Sequence, residues 1–282
     1  MQIIEELHPL RRALEALRAE GPVALVPTMG ALHEGHLTLV RAARARGAQV
    51  VASIFVNPRQ FAAGEDLEAY PRQLARDAAL LEAEGVAVLW APTVSAMYPA
   101  GYATNVSVAG VSEGLCGGTR PGHFDGVATV VLKLFNQVAP DIALFGEKDW
   151  QQLAVIRRMA RDLDLARPAV ENIIGVATVR EADGLARSSR NAYLSATERQ
   201  QAACLPAAMH KAIAALQAGT PVPEALAALE ADLLAGGFSA VDYAELREAD
   251  SLAPLATVGT VPARLLVAAR IGKARLIDNM AV

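Results

Sequence analysis

An α/β fold, built on a doubly wound parallel sheet and followed by a smaller C-terminal α/β domain, is what the sequence predicts, on three observations. Short apolar runs alternate with helical patterns through the first two thirds of the chain. The runs "PVALVPTM", "AQVVASIFV", "VAVLWAP" and "DIALFG" read as strands buried in a parallel sheet. Beyond about residue 180 the rhythm changes to helices and a closing pair of strands. The first part is therefore Rossmann-like. At 282 residues the chain is comfortable for two domains, expected at 1–180 and 181–282.

Taken in order, "MQIIEELHPLRRALEALRAEG" is charged and has no uninterrupted apolar core, so it reads as an amphipathic helix rather than a signal peptide. Val23 to Met29 is a strand, Gly30 its tight exit, and Leu37 to Arg46 a helix. The three other runs supply further strands, and "AVENIIGVATVR" one more. Ser195 and Glu198 form an S-x-x-E capping box that starts a helix running to Gly219. Pro221 and Pro223 restart a helix over "EALAALEADLLAGG", and Gly272 turns the chain between "RLLVAARI" and "KARLIDNM".

A net charge of -4 is unlike the cationic footprint that nucleic acid or a membrane surface demands, so neither is an expected partner. No run of about 18 apolar residues is present, the length a spanning helix needs. Cys116 and Cys204 lie far apart with no CxxC companion, as expected of reduced thiols in a cytoplasm. Of 26 basic residues only Lys133, Lys148, Lys211 and Lys273 are lysines, which singles out Lys148 inside an otherwise suggestive motif.

That motif has a counterpart upstream. "PTMGALHEGHLTLV", Pro27 to Val40, places His33 and His36 in a strand-to-helix turn at the carboxyl edge of the sheet. Two imidazoles there serve to hold a metal, to move a proton, or to grip an anion. The zinc-protease pattern HExxH needs ligands at i and i+4 within one helix, and HEGH has i and i+3 around a glycine. A helix N-terminus favours negative charge, so phosphate gripping is the reading the residues support best. "FGEKDWQQL" follows the apolar "DIALF" and puts Gly146 to Asp149 at the same kind of edge.

HxGH after the first strand resembles the signature of the nucleotidylyl-transferase superfamily. With "SIFVNPRQF", "LCGGTRPGHFDGVATVV", "LFGEKDWQQL" and "DGLARSSRNAYL" in the same order, the chain resembles the pantothenate synthetase (pantoate–β-alanine ligase) family along nearly its whole length. The resemblance implies a two-step, AMP-forming ligase. Pantoate's carboxylate attacks the α-phosphorus of ATP, pyrophosphate leaves, and the amine of β-alanine displaces AMP from pantoyl adenylate. It implies that His33, His36 and Lys148 are catalytic, with His36 the better placed to give a proton to the leaving group. It further implies nucleotide contacts from Met29, Gly30, Ala31, Leu32, His33, Glu34, Gly35 and His36, and from Gly146, Glu147, Lys148 and Asp149, the last meeting a ribose hydroxyl. Val179 falls at the adenine, Arg187 contributes through its backbone, and Ser188, Ser189 and Arg190 reach the β- and γ-phosphates. Gln60 and Gln152 match the pantoate-binding glutamines, Gln60 also serving β-alanine, with Asn57 assisting. Arg120 and His123 sit in a glycine-rich flap, where they either touch phosphate or shape the loop. Mg²⁺ enters with ATP, with no side chain assigned as its ligand, and the family implies a homodimer. Two rival readings are another HxGH adenylyltransferase and a non-catalytic nucleotide-binding module. Paired neutral glutamines fit a hydroxylated carboxylate acceptor better than a phosphate ester. A tRNA ligase is disfavoured by the acidic chain and short tail.

Overall fold

The structure is a computed structural model that describes residues 1–61, 67 and 70–282. In chain order the elements are β1 (Gln2–Ile4), α1 (Leu7–Glu20), β2 (Val23–Thr28), α2 (Glu34–Arg44), β3 (Gln49–Ile54), α3 (Leu74–Ala83), β4 (Val88–Trp90) and α4 (Val94–Met97). There follow α5 (Leu115–Thr119), α6 (His123–Val138), β5 (Ile142–Gly146), α7 (Trp150–Asp162), β6 (Ile173–Val176), α8 (Ala196–Ala202), α9 (Cys204–Gln217) and α10 (Val222–Ala235). The chain closes with β7 (Ala240–Glu248), β8 (Ala263–Ile271) and β9 (Ala274–Ala281).

Strands β1 to β6 form one parallel sheet in the order β1-β4-β3-β2-β5-β6. Successive strand residues face opposite sides. Val23 and Leu25 enter a core with α1, α6 and α7, whereas Ala24 and Val26 enter one with α2 and α3. Both faces are covered, which is why these strands are continuously apolar in sequence. From β2 the chain builds outward through β3 to β4, and then resumes on the other side of β2 with β5 and β6. The order thus reverses between β2 and β5, and the crevice beyond their carboxyl ends is where an open α/β sheet binds ligands.

The tail is an antiparallel sheet, β7-β8-β9. One face packs on α9 and α10 through Met209, Ile213, Leu229, Leu233, Leu265 and Val267. Leu266 points the other way and joins the core of the parallel sheet. Gly272 sits in the β8–β9 turn with φ +53°, a conformation that an L side chain strains to adopt.

Three expectations are corrected. The N-terminal stretch is not helical throughout: Gln2–Ile4 pair with Val88–Trp90 as an edge strand before α1 begins. The capping box at Ser195 and Glu198 forms as expected, but the helix it starts does not run on to Gly219. It ends at Ala202 and α9 restarts at Cys204, because Pro206 has no amide hydrogen to donate back and its ring collides with the carbonyl four residues earlier. The glycine-rich stretch around Arg120 and His123 is not a flap either: it forms α5 and the start of α6. Gly126 is there to let α6 lie on the backbone of Arg59 and Gln60, since a Cβ would fall 2.3 Å from the Arg59 carbonyl oxygen.

Backbone cannot give way as a flexible side chain can, so Gly126→Ala should lower the unfolding free energy by about 1–3 kcal/mol, the usual cost of overpacking. Urea denaturation reads this directly, and an unchanged midpoint and slope would mean that the close approach is not a constraint.

Candidate active site

The β2–α2 turn begins with two left-handed residues, Gly30 (φ +83°) and Ala31 (φ +51°). The amides of Ala31 and Leu32 donate to the fully buried carboxylate of Asp77, at 2.8 and 3.0 Å. His33 then caps α2: its Nδ1 accepts from the Gly35 amide at 3.1 Å, while His36 Nδ1 accepts from the His33 amide at 3.3 Å. A Cβ on residue 35 would lie 2.9 Å from the His33 ring, so Gly35 makes room for the imidazole to fold back over the helix. With Nδ1 an acceptor in both rings, each neutral imidazole carries its proton on Nε2.

Both are held neutral. Burial, then the cations Lys148 and Arg187, lower the pKa of His33 below its ordinary value. Burial, then the His33 ring, push His36 down to about 3. In this state the histidines are hydrogen-bond donors through Nε2, and His36 carries no imidazolium proton to hand over at neutral pH.

Opposite them, β5 ends at Gly146 and a 3₁₀ turn, Glu147–Asp149, leads into α7. Lys148 is largely buried, with its Nζ 3.8 Å from Asp149. Gly146 has ordinary φ, and a Cβ there would meet no protein atom within 4 Å, so neither packing nor conformation demands a glycine. The following two glutamines divide by helix phase. Gln151 is buried and clamps the 111–116 segment, accepting from the Cys116 amide and donating to the carbonyl of Val111. Gln152 faces the cavity.

The third wall is the Pro58–Gln60 turn after β3. Buried Asn57 donates to Gln60 Oε1 at 2.9 Å and to the Gly126 carbonyl at 3.0 Å, and Tyr98 donates to Asn57. Gln60 is thereby left with its amide hydrogens for a ligand. His123 Nδ1 lies 2.9 Å from the Gln60 carbonyl and its Nε2 lies 3.0 Å from Arg120, so this pair contacts the turn that carries Gln60, and both residues also line the cavity. The fourth wall is the segment from Val176 to Arg190. The Arg187 amide donates to the Val179 carbonyl, Arg187 pairs with Glu181 at 3.0 Å, and Ser188 caps the short 3₁₀ helix of Ser189–Tyr193.

These walls enclose a cavity of about 240 Å³. Met29, His33, Gly35, His36, Gln60, Gly146, Lys148, Asp149, Gln152, Val179, Arg187, Ser188, Ser189 and Arg190 all line it. Five residues expected at the nucleotide are not among those lining this cavity. Gly30 donates its amide to Thr28, Ala31 and Leu32 donate theirs to Asp77, Glu34 pairs with Arg41, and Glu147 lies 3.6 Å from Arg264. Sequence reasoning missed Asp77 and Tyr70. Tyr70 lines the cavity and hydrogen-bonds Ser189, and burial raises its pKa. Neither falls in a recognisable motif, and a tyrosine or aspartate in "EAYPRQLARD" carries no local signal of its destination. Among the described residues no group of three or more His, Cys, Asp or Glu is placed to hold a metal.

A histidine-capped helix at the switch point of a parallel sheet, facing a lysine turn and a serine–arginine loop, defines an α/β protein of the HxGH nucleotidylyl-transferase type. The particular family follows from comparison with known proteins: the pantoate-beta-alanine ligase model matches residues 2–281, and the chain belongs to that family. It is 68% identical over 283 residues to the pantothenate synthetase of Novosphingobium aromaticivorans, covering 100% of this chain and 99% of that protein. The crystal structure of pantothenate synthetase from Thermus thermophilus superposes with a TM-score of 0.91 at 48% identity, covering 99% of each chain. That of the Francisella tularensis ligase, complexed with beta-gamma ATP and β-alanine, superposes at 0.82 with 31% identity, covering 100% of this chain and 97% of that one.

The lowered pKa of His36 has a sign. Between about 3 and 6.5 the unfolded chain binds a proton there that the folded chain does not, so the contribution to stability is complete above pH 6.5 and is lost as pH falls. At pH 5 the loss is about 2 kcal/mol, from 1.36 kcal/mol per unit. Thermal unfolding at pH 7 and pH 5 should show a smaller drop for His36→Asn than for the parent; equal drops would place the buried neutral imidazole elsewhere.

Proposed function

We propose that this chain joins pantoate to β-alanine with ATP, through pantoyl adenylate, releasing pyrophosphate and AMP. The observation that carries the reading at the level of residues is that one cavity brings His33, His36 and Lys148 together with Gln60 and Gln152. A carboxylate is ionised at pH 7, so adenylation needs no general base. It needs positioning in line with the α-phosphorus and stabilisation of the charge that passes to pyrophosphate.

In the proposed arrangement Lys148 meets the α-phosphate, the Nε2 protons of His33 and His36 donate to phosphate oxygens, and Ser188, Ser189 and Arg190 take the β- and γ-phosphates. Gly146 leaves the nucleotide room at the strand end, Val179 flanks adenine, and Asp149 takes a ribose hydroxyl. Gln60, its oxygen already engaged by Asn57, donates to pantoate and later orients β-alanine. Gln152 holds pantoate from the other side. Among the described residues that line the cavity Asp149 is the one carboxylate, which suits a cation carried chiefly on the triphosphate. Mg²⁺ bound there would neutralise phosphate charge.

Three further readings stand as proposals. Homodimerisation is supported by family membership and is decided by sedimentation, a monomer at working concentration removing it. A cytoplasmic location is supported by two free thiols, Cys116 and Cys204, and no helix among the described residues is long and apolar enough to cross a membrane. A domain division at residue 180 is supported by the separate apolar cluster of the C-terminal helices and sheet.

Incubation with ATP, pantoate and β-alanine should yield AMP and pantothenate. A non-catalytic nucleotide-binding module would give neither, and an adenylyltransferase of another acceptor would leave pantoate untouched. The site divides as follows. Gln152→Ala should bind ATP as the parent does and lose pantoate affinity. Lys148→Ala should slow pantoate-dependent pyrophosphate release on the order of 10² to 10³-fold, the usual consequence of removing one preorganised donor. Calorimetric titration of Gln152→Ala with each substrate checks the first, and loss of ATP binding with pantoate binding intact would make "FGEKDWQQL" a nucleotide motif throughout.

A further inference from the structure

We propose that Asp278 and Asn279, neighbours on β9, brace the two phosphate-facing loops against each other, and that Asn279 is a positioning residue for Lys148; this rests on the role given to Lys148 above. The two side chains are almost wholly buried and fully engaged. Asn279 Nδ2 donates to the carbonyls of Glu147 and Lys148, each at 2.9 Å, and its Oδ1 accepts from Arg264 at 2.7 Å. Its orientation is thus over-determined, because both amide hydrogens and the oxygen have partners. Arg264 lies 3.4 Å from the centre of the Trp150 ring, and Trp150 donates to the Ala249 carbonyl at 2.8 Å. Residues 147, 148 and 150 are therefore each tied to the C-terminal sheet.

Asp278 works in the other direction. Its carboxylate takes a two-pronged grip from Arg180, at 2.6 and 2.9 Å, and accepts the Asn279 amide at 2.7 Å. Arg180 also donates to the Gly184 carbonyl and pairs through its backbone with Ala186, the residue two before Ser188. One dipeptide of β9 consequently fixes the backbone behind Lys148 and the base of the loop carrying Ser188 to Arg190. A triphosphate held between those two loops requires a set separation, and a displacement of about 1 Å from a distant mutation can lower a rate a hundredfold. Removing the Asn279 amide takes this donor from two part-buried carbonyls and allows the lysine turn to drift.

A double-mutant cycle tests this. Asn279→Ala in the parent should slow pantoate-dependent pyrophosphate release by at least tenfold and weaken ATP binding, with the KM for pantoate little changed. In a Lys148→Ala background the same substitution should change neither rate nor ATP affinity by more than about twofold, because its effect runs through a side chain already gone. A loss of equal size in both backgrounds would overturn the proposal and make Asn279 a contributor to general stability. Should Asn279→Ala fail to fold, Asn279→Ser carries the same cycle. The ATP arm is read by calorimetry without pantoate, so a parent inactive towards pantoate would sink the proposed function while the ATP arm still decides the brace.

Discussion

A single fully buried carboxylate, Asp77, carries the geometry on which the rest of the site depends. The chain must leave β2 and enter α2 through Gly30 and Ala31, both in left-handed conformations, and the second of these is unfavourable for a residue with a Cβ. Two amides presented by that turn, Ala31 and Leu32, would be unpaired without Asp77, at a cost of about 1–3 kcal/mol each. Once the turn is held, His33 falls at the helix cap and His36 at the first turn, and each ring's Nδ1 accepts from a backbone amide, that of His33 from Gly35 and that of His36 from His33. The Nε2 protons follow from that arrangement.

The electrostatic labour is divided in a way that residue types alone do not reveal. Histidines beside a phosphate site invite the assumption of positive charge. Here burial and neighbouring cations keep both neutral, so fixed positive charge comes from Arg120, Lys148, Arg187 and Arg190 and from the amino end of α2. A buried neutral donor costs less to maintain than a buried cation and still becomes a strong hydrogen bond once it faces a phosphate oxygen.

Periodicity and fixed motifs made much of this legible. Strands buried on both faces announce themselves as continuous apolar runs, and HEGH and "FGEKDW" mark loops where chain direction is dictated by a preceding strand. What periodicity cannot report is the direction of an amide. Gly30, Ala31 and Leu32 belong to the right motif, yet their N–H groups turn inward to Thr28 and Asp77 rather than lining the cavity. Asp77 and Asn279 had no signal at all, because each acts through a partner more than forty residues away. The break between α8 and α9 was readable from Pro206, and β1 was hidden because three residues are too few to show a period.

Attack of pantoate's own carboxylate on the α-phosphorus is the chemical centre of the account, and oxygen tracing tests it most directly. The carboxylate oxygen that forms the acyl–phosphate bond leaves with AMP when the amine of β-alanine displaces it, and the other stays in the amide carbonyl of pantothenate. With pantoate labelled by ¹⁸O in both carboxylate oxygens, mass spectrometry should find one label in AMP and one in pantothenate. Label in inorganic phosphate, accompanied by ADP, would show an acyl phosphate instead and contradict the assignment of Lys148 and the histidine turn to adenylate formation.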